Sequence, residues 1–159
     1  MPRVVDDPED ARAARIAALD LLAGRDRPGA QVREKLEERG FSAATASAVV
    51  TALVAENLIN ERRYVEHFVA WHAGRGQGPV RVRGELRQAG VDPELIDEFI
   101  DAYGEWDQRA REARRKKFGS AVCDDYAAKA RQSRFLAYRG FTGAQIRSAL
   151  GPDPDDHET

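Results

Sequence analysis

One seven-residue stretch, Leu36-Glu37-Glu38-Arg39-Gly40-Phe41-Ser42, occurs three times in this chain of 159 residues. It returns as Leu86-Arg87-Gln88-Ala89-Gly90-Val91-Asp92 and as Leu136-Ala137-Tyr138-Arg139-Gly140-Phe141-Thr142, each copy fifty positions after the one before. A constant offset of this size is typical of architectures in which small units stack, because no single unit can bury its apolar face alone.

Each copy is typical of a corner between two helices. A leucine ends one amphipathic helix, a glycine takes the left-handed backbone, an apolar residue follows, and Ser, Asp or Thr caps the next helix. The predicted corner residues are Leu36, Gly40, Phe41, Ser42, Leu86, Gly90, Val91, Asp92, Leu136, Gly140, Phe141 and Thr142. The sequence therefore predicts an all-α fold of three tandem three-helix repeats, each of about fifty residues.

Turn residues and changes in charge divide the chain into five segments. We expect an acidic N-terminal segment at 1–10, repeats at 11–59, 60–104 and 105–150, and a disordered acidic tail at 151–159. Asp7, followed by Pro8, is expected to cap the first helix. One face of a helix in the second repeat carries Tyr64, Val65, Phe68, Val69 and Trp71. We expect this aromatic stripe to be core, and the alternative is a ligand or partner surface.

Charge is distributed unevenly along the chain. The formal net charge is −2, but residues 1–10 and 151–159 together carry −7, which leaves +5 on residues 11–150. A mildly basic body with acidic ends leaves binding to a polyanion open.

The composition excludes several classes of site. Cys123 is the only cysteine, which rules out an internal disulfide, and we expect it to be a small apolar residue in a reducing cytoplasm. His67, His72 and His157 do not have the spacing of metal ligands, so we expect neither a metal nor a cofactor. The start of the chain lacks the pattern of a signal peptide, and no apolar run is long enough to span a membrane.

No motif predicts catalysis. The segment Gly74-Arg75-Gly76-Gln77-Gly78-Pro79 superficially resembles a phosphate-binding loop, but it lacks the preceding strand and the Gly-Lys-Ser/Thr ending, and we interpret it as a flexible connector. No nucleophile, base or paired carboxylates have the order that an active site requires. The protein is therefore expected not to be an enzyme.

Two binding functions follow from the pattern itself. Helix, glycine turn and helix also describe DNA-binding helix-turn-helix units, but only Gln145 and Arg147 lie where side chains of the second helix could meet base edges. A scaffold for an acidic protein partner is the other alternative, because the helix near residues 105–117 is dense in charge and leaves Arg114, Arg115 and Lys117 without an acidic partner.

Three motifs together resemble the RecX family of regulatory proteins. They are the corner beginning Glu34-Lys35-Leu36, the segment from Gly76 to Leu86 that reads Gly-Gln-Gly-Pro-Val-Arg-Val-Arg-Gly-Glu-Leu, and the ending Arg134-Phe135-Leu136 that continues to Thr142. The resemblance covers roughly residues 11–150. The second corner departs from the others, because Ala89 and Val91 replace the Arg and Phe found there.

The resemblance implies an elongated, curved array of helix triplets that binds the RecA recombinase filament on single-stranded DNA and lies in its groove. Such a protein would inhibit the recombinase, ATPase and co-protease activities of the filament, and so modulate DNA repair and the SOS response, as a cytoplasmic monomer. We expect the cations that contact the groove to be Arg81, Arg83, Arg87, Arg114, Arg115 and Lys117, with a second patch at Arg131, Arg134 and Arg139.

Overall fold

Helices occupy most of the chain that the structure describes. A computed structural model describes residues 5–121 and 125–151, so Cys123, His157 and the predicted tail beyond Gly151 lie outside the described residues. The helices are α1 (Ala11–Leu22), α2 (Gly29–Glu38), α3 (Ala43–Ala55), α4 (Glu61–Gly74), α5 (Pro79–Gln88), α6 (Pro93–Tyr103), α7 (Trp106–Phe118), α8 (Tyr126–Tyr138) and α9 (Gly143–Leu150). Three helices fall in each repeat and no strand occurs in the described ranges, which confirms the predicted all-α class.

The helices form two compact units, and the boundary between them runs through the second repeat. The first unit consists of Met1–Glu66 and Arg87–Leu95, and the second consists of His67–Leu86 and Ile96–Thr159. In the first unit, α1 and α2 pack on α3 around an apolar core. In the second unit, α7 and α8 pack on α9 around a core of Ala110, Leu136, Phe141, Ile146 and Ala149.

The three predicted corners share one backbone geometry. Gly40, Gly90 and Gly140 have φ angles of +104°, +83° and +98°, in the left-handed region that favours glycine. Each glycine N–H donates a hydrogen bond of 3.0 Å to the carbonyl three residues earlier. The apolar corner residues Leu36, Phe41, Leu86, Val91, Leu136 and Phe141 are all buried. The repeat predicted from the sequence is therefore confirmed at its corners.

Side chains after the corners cap the next helices. Ser42 accepts a hydrogen bond from the Thr45 N–H at 3.1 Å, and Thr142 accepts one from the Gln145 N–H at 3.2 Å. The Gln145 amide oxygen in turn accepts from the Thr142 N–H at 2.9 Å, which completes a capping box. Asp92 accepts from the Glu94 N–H at 3.0 Å.

The prediction that Asp7 caps the first helix is wrong. Helix α1 begins at Ala11, and Asp10 caps it by accepting from the Ala13 N–H at 3.0 Å. The Pro8 carbonyl accepts from the Ser42 N–H at 2.9 Å. Because this bond uses the carbonyl that a helix starting at Pro8 would need, the first corner holds Pro8 outside the helix.

The segment expected to be a flexible connector is fixed against the third corner. The Gly78 N–H donates to the Arg139 carbonyl at 2.8 Å, and the Val80 N–H donates to the Gly140 carbonyl at 2.9 Å. Gly78 is buried, and a Cβ atom at this position would overlap the Gly140 carbonyl and the Phe141 nitrogen. Glycine at 78 is therefore required by the close approach of two backbones.

The first unit contains the equivalent contact between corner and helix start. A Cβ atom on Gly90 would lie 2.7 Å from the Ala30 Cβ, near the start of α2. Ala30 lies fifty positions before Val80, whose N–H binds the third corner. In each unit, the corner of one repeat therefore rests on the start of the second helix of the repeat before it.

Candidate basic site for an anionic partner

Arg114, one of the predicted contact residues, is buried in the protein and does not face solvent. Its side chain lies in α7 and the residue is 8% exposed. The guanidinium donates from Nε to Gln132 Oε1 at 2.9 Å and from one terminal nitrogen to the Ala121 carbonyl at 2.7 Å. The partners of Arg114 are an amide oxygen and a backbone carbonyl, and Arg115 also has an interaction partner. Arg114 is therefore not part of a surface that a partner could contact.

Arg114→Ala is expected to lower the free energy of unfolding of the second unit by about 2–3 kcal/mol, because it leaves buried Gln132 without its partner. Lys116→Ala, on the exposed face of the same helix, should change it by about 0.5 kcal/mol or less. Urea unfolding followed by tryptophan fluorescence measures both values, since Trp71 and Trp106 both lie in the second unit. Equal stability of the two variants would contradict a structural role for Arg114.

The remaining predicted cations differ in their surroundings. Arg83 donates to Asp97 at 3.0 Å, and Arg81 lies 3.4 Å from Glu85 on the next turn of α5. Both pairs are largely solvated, and ion pairs of this kind contribute about 0–1 kcal/mol. Exposed positions are occupied by Arg87, Arg115, Lys117, Arg131 and Arg134.

The structure brings together cations that the sequence assigned to two separate patches. Arg81 of α5 lies over the ring of Tyr138, 5.9 Å from its centroid. Lys117 of α7 and Arg139 at the end of α8 both lie over the ring of Phe135, at 5.9 Å and 5.4 Å. We call these five residues the aromatic–cation cluster. Tyr138 is 78% exposed, so the cluster presents an aromatic surface as well as positive charge.

A basic cavity of about 330 Å³ adjoins this cluster within the second unit. It is bordered by the end of α4, by α7 and by the end of α8, and its lining is formed by Ala73, Gly74, Arg75, Gly76, Arg109, Glu112, Ala113, Lys116, Lys117, Phe135 and Arg139. Five of these side chains are cationic and one is acidic, which gives the lining a formal charge of +4.

Arg109 is the most constrained cation of the basic cavity. Its Nε donates to the Tyr103 hydroxyl at 2.8 Å and a terminal nitrogen donates to Glu112 at 3.2 Å. The hydrogen bond with Tyr103 is the largest cause that raises the pKa of Arg109, and Glu112 adds to it. Arg109 therefore remains charged, and it holds Glu112 on one side of the cavity.

Sequence reasoning missed Arg75 and misplaced Trp71. The expectation that Trp71 is buried is wrong, since it is 57% exposed while Val65, Val69 and Ala73 form the buried face of α4. Spacing would have revealed this, because Trp71 lies two positions, or about 200° around the helix, from Val69. The Arg75 guanidinium lies over the Trp71 ring, 4.6 Å from its centroid.

Other kinds of site are not found in the described part of the chain. No three His, Cys, Asp or Glu side chains within 5–121 and 125–151 are grouped as metal ligands. None of the helices in these ranges combines the length and apolar composition that a bilayer crossing requires.

Family models for the three RecX three-helix domains match this chain in order. The first-domain model matches residues 14–53, the second-domain model 60–100 and the third-domain model 105–150.

Individual relatives extend this similarity over most of the chain. A protein named regulatory protein RecX from Halorhodospira halophila is 42% identical over 149 residues, covering 93% of this chain and 92% of its own length. One of the same name from Pseudomonas putida KT2440 is 37% identical over 159 residues, covering 99% and 100%. The crystal structure of RecX from Lactobacillus salivarius superposes with a TM-score of 0.79 and 21% identity, covering 89% of this chain and 94% of that one, which establishes the shared fold.

Proposed function

Since this chain belongs to the RecX family of regulatory proteins, we propose that it binds the RecA recombinase filament on single-stranded DNA and inhibits it. The inhibited activities would be strand exchange, ATP hydrolysis and stimulation of co-proteolysis, with effects on DNA repair and the SOS response. The protein would act by binding alone, in the cytoplasm where the filament forms.

The observation that carries this proposal is the match of all three RecX domain models across the chain. The surface supports it, because a filament of protein and single-stranded DNA is an anionic partner. The aromatic–cation cluster combines Arg, Tyr and Phe side chains, and Arg and Tyr are enriched among residues that dominate binding energy at protein interfaces.

The decisive test is ATP hydrolysis by the recombinase on single-stranded DNA, measured with and without this protein, beside a gel-shift assay on duplex DNA. We expect the rate of hydrolysis to fall at less than one molecule of this protein per recombinase protomer, and duplex binding to be weak. Sequence-specific duplex binding without an effect on hydrolysis would instead support the helix-turn-helix alternative. Binding to acidic peptides with no effect on hydrolysis would support the scaffold alternative.

The duplex-binding alternative has little support from the third repeat. Gln145 and Arg147 were its candidates for base contacts. The Gln145 side-chain oxygen is engaged in the capping box with Thr142, so bidentate recognition of adenine would have to break a helix cap. The proposal therefore remains filament binding.

Replacing Arg81, Arg83 and Arg87 of α5 together by alanine is expected to weaken inhibition about tenfold, because each lost cation removes a contact with an anionic surface. Helicity should be unchanged, since the two ion pairs involved are solvated. Circular dichroism checks the fold, and a titration of ATP hydrolysis against the variant measures inhibition. Inhibition equal to that of the unmodified protein would exclude these three residues from the contact surface.

A further inference from the structure

We propose that the basic cavity of the second unit is a binding site for the triphosphate group of a nucleotide. The cavity is bordered by three separate parts of the chain: the end of α4 with Arg75, the helix α7 with Arg109, Lys116 and Lys117, and the end of α8 with Arg139.

The first argument is unneutralised charge. Among the described residues, no carboxylate lies within ion-pair distance of Arg75, Lys116, Lys117 or Arg139. The only acid of the lining, Glu112, accepts hydrogen bonds from Arg109 and Gln108 at 3.2 Å each. Four cations around one concavity repel one another, and an anion bound between them would remove that repulsion.

The second argument is the shape of the lining. The positions between the cations are occupied by the small residues Ala73, Gly74, Gly76 and Ala113. A Cβ atom at Gly76 would already lie 3.7 Å from the Ala113 Cβ, so these small residues keep the space open. A small-residue floor with a cationic rim leaves room for phosphate oxygens to approach guanidinium and ammonium groups directly.

The charge of the cavity lining indicates which class of phosphate ligand the site would bind. The lining carries +4, and a triphosphate chain carries about four negative charges near neutral pH. A nucleic-acid strand carries one charge per nucleotide and would place fewer phosphates in a cavity of about 330 Å³. Phe135 lies beneath Lys117 and Arg139, so its ring helps to hold two of the cations that would meet the phosphates.

Occupancy of the cavity would regulate partner binding, and this consequence rests on the proposed function. Lys117 and Arg139 belong both to the basic cavity and to the aromatic–cation cluster. A bound triphosphate would neutralise them and weaken contact with an anionic filament. Nucleotide would then reduce inhibition, whereas nucleotide binding itself needs no recombinase.

The test uses the full chain alone, so its outcome does not depend on the proposed function. Ribose-labelled ATP is titrated with the protein at low ionic strength, and fluorescence anisotropy reports binding. Unlabelled ATP and inorganic triphosphate are expected to displace it, with AMP at least about tenfold weaker because it carries fewer charges. Lys116→Ala with Lys117→Ala should weaken binding about tenfold or more. The matched double variant Arg12→Ala with Arg33→Ala, on exposed positions of α1 and α2, should bind normally.

Several results would overturn the proposal. They are the absence of displaceable binding, equal competition by AMP and ATP, or equal losses in the two double variants. A thymidine oligonucleotide that competes better than inorganic triphosphate would show that the cavity belongs to a nucleic-acid surface instead. Circular dichroism of each variant ensures that a loss of binding is not a loss of fold.

Discussion

Gly78→Ala is expected to destabilise the second compact unit by about 3–5 kcal/mol, because overpacking a closed contact costs about 1–3 kcal/mol and two hydrogen bonds are strained with it. The new methyl group would overlap the Gly140 carbonyl and the Phe141 nitrogen. Relief requires the two backbones to separate, which weakens the bonds from Gly78 to Arg139 and from Val80 to Gly140. The third corner then loses its contact with the start of α5.

Gly84→Ala is the matched control for this substitution. Gly84 lies inside α5, six positions from Gly78, and a Cβ atom there would meet nothing within 4 Å. Alanine is the better helix former, so Gly84→Ala should stabilise the protein by about 0.5–1 kcal/mol. Urea unfolding followed by tryptophan fluorescence should therefore show shifts of opposite sign. A shift of less than about 1 kcal/mol for Gly78→Ala would contradict the close backbone contact.

Lys117→Glu combined with Arg139→Glu is expected to raise the concentration needed for half-inhibition of the filament about 100-fold. The two side chains lie over the same Phe135 ring, so reversing both places two carboxylates where we propose an anionic partner to bind. Like charges brought together at an interface cost several kcal/mol, which exceeds the effect of removing the cations. Inhibition of ATP hydrolysis on single-stranded DNA measures the change.

The control for the reversed pair has the same change in net charge. Arg12→Glu with Arg33→Glu alters exposed positions of α1 and α2 that belong neither to the basic cavity nor to the aromatic–cation cluster. It should inhibit within about threefold of the unmodified protein, since solvated surface charges outside the proposed contact are screened by salt. If both charge-reversed proteins lose inhibition equally, net charge rather than the cluster governs the interaction.

Much of the fold was predictable because its signals are local. The corners depend on a glycine with positive φ, a buried leucine and a capping side chain, all within seven residues. The prediction that Asp7 caps the first helix failed because a long-range contact overrides the local signal. The local sequence is a good helix start, but the bond from the Ser42 N–H to the Pro8 carbonyl comes from a distant part of the chain and delays the helix to Ala11.

The site was less predictable than the fold, since charge alone does not reveal which cations face solvent. Arg114 and Lys117 lie three positions apart on α7 in a similar run of sequence, yet Arg114 is buried against Gln132 and Lys117 is exposed. Arg75 gives no local signal of a site, because it follows α4 in a glycine-rich segment whose pattern indicates a connector. Its position beside Arg139 in one cavity depends on how α4, α7 and α8 pack.

The sequence by itself determined three copies of a helix triplet, the corners between their helices and the membership of a family that those motifs indicate. These features depend on backbone preference, capping and apolar periodicity, which act over a few residues. Only the tertiary structure decided that Gly78 must be glycine, that Arg114 is buried and that Arg75, Lys117 and Arg139 surround one cavity. Each of these depends on a contact between residues far apart in the chain. The local sequence around either residue does not reveal that the two come together in the fold.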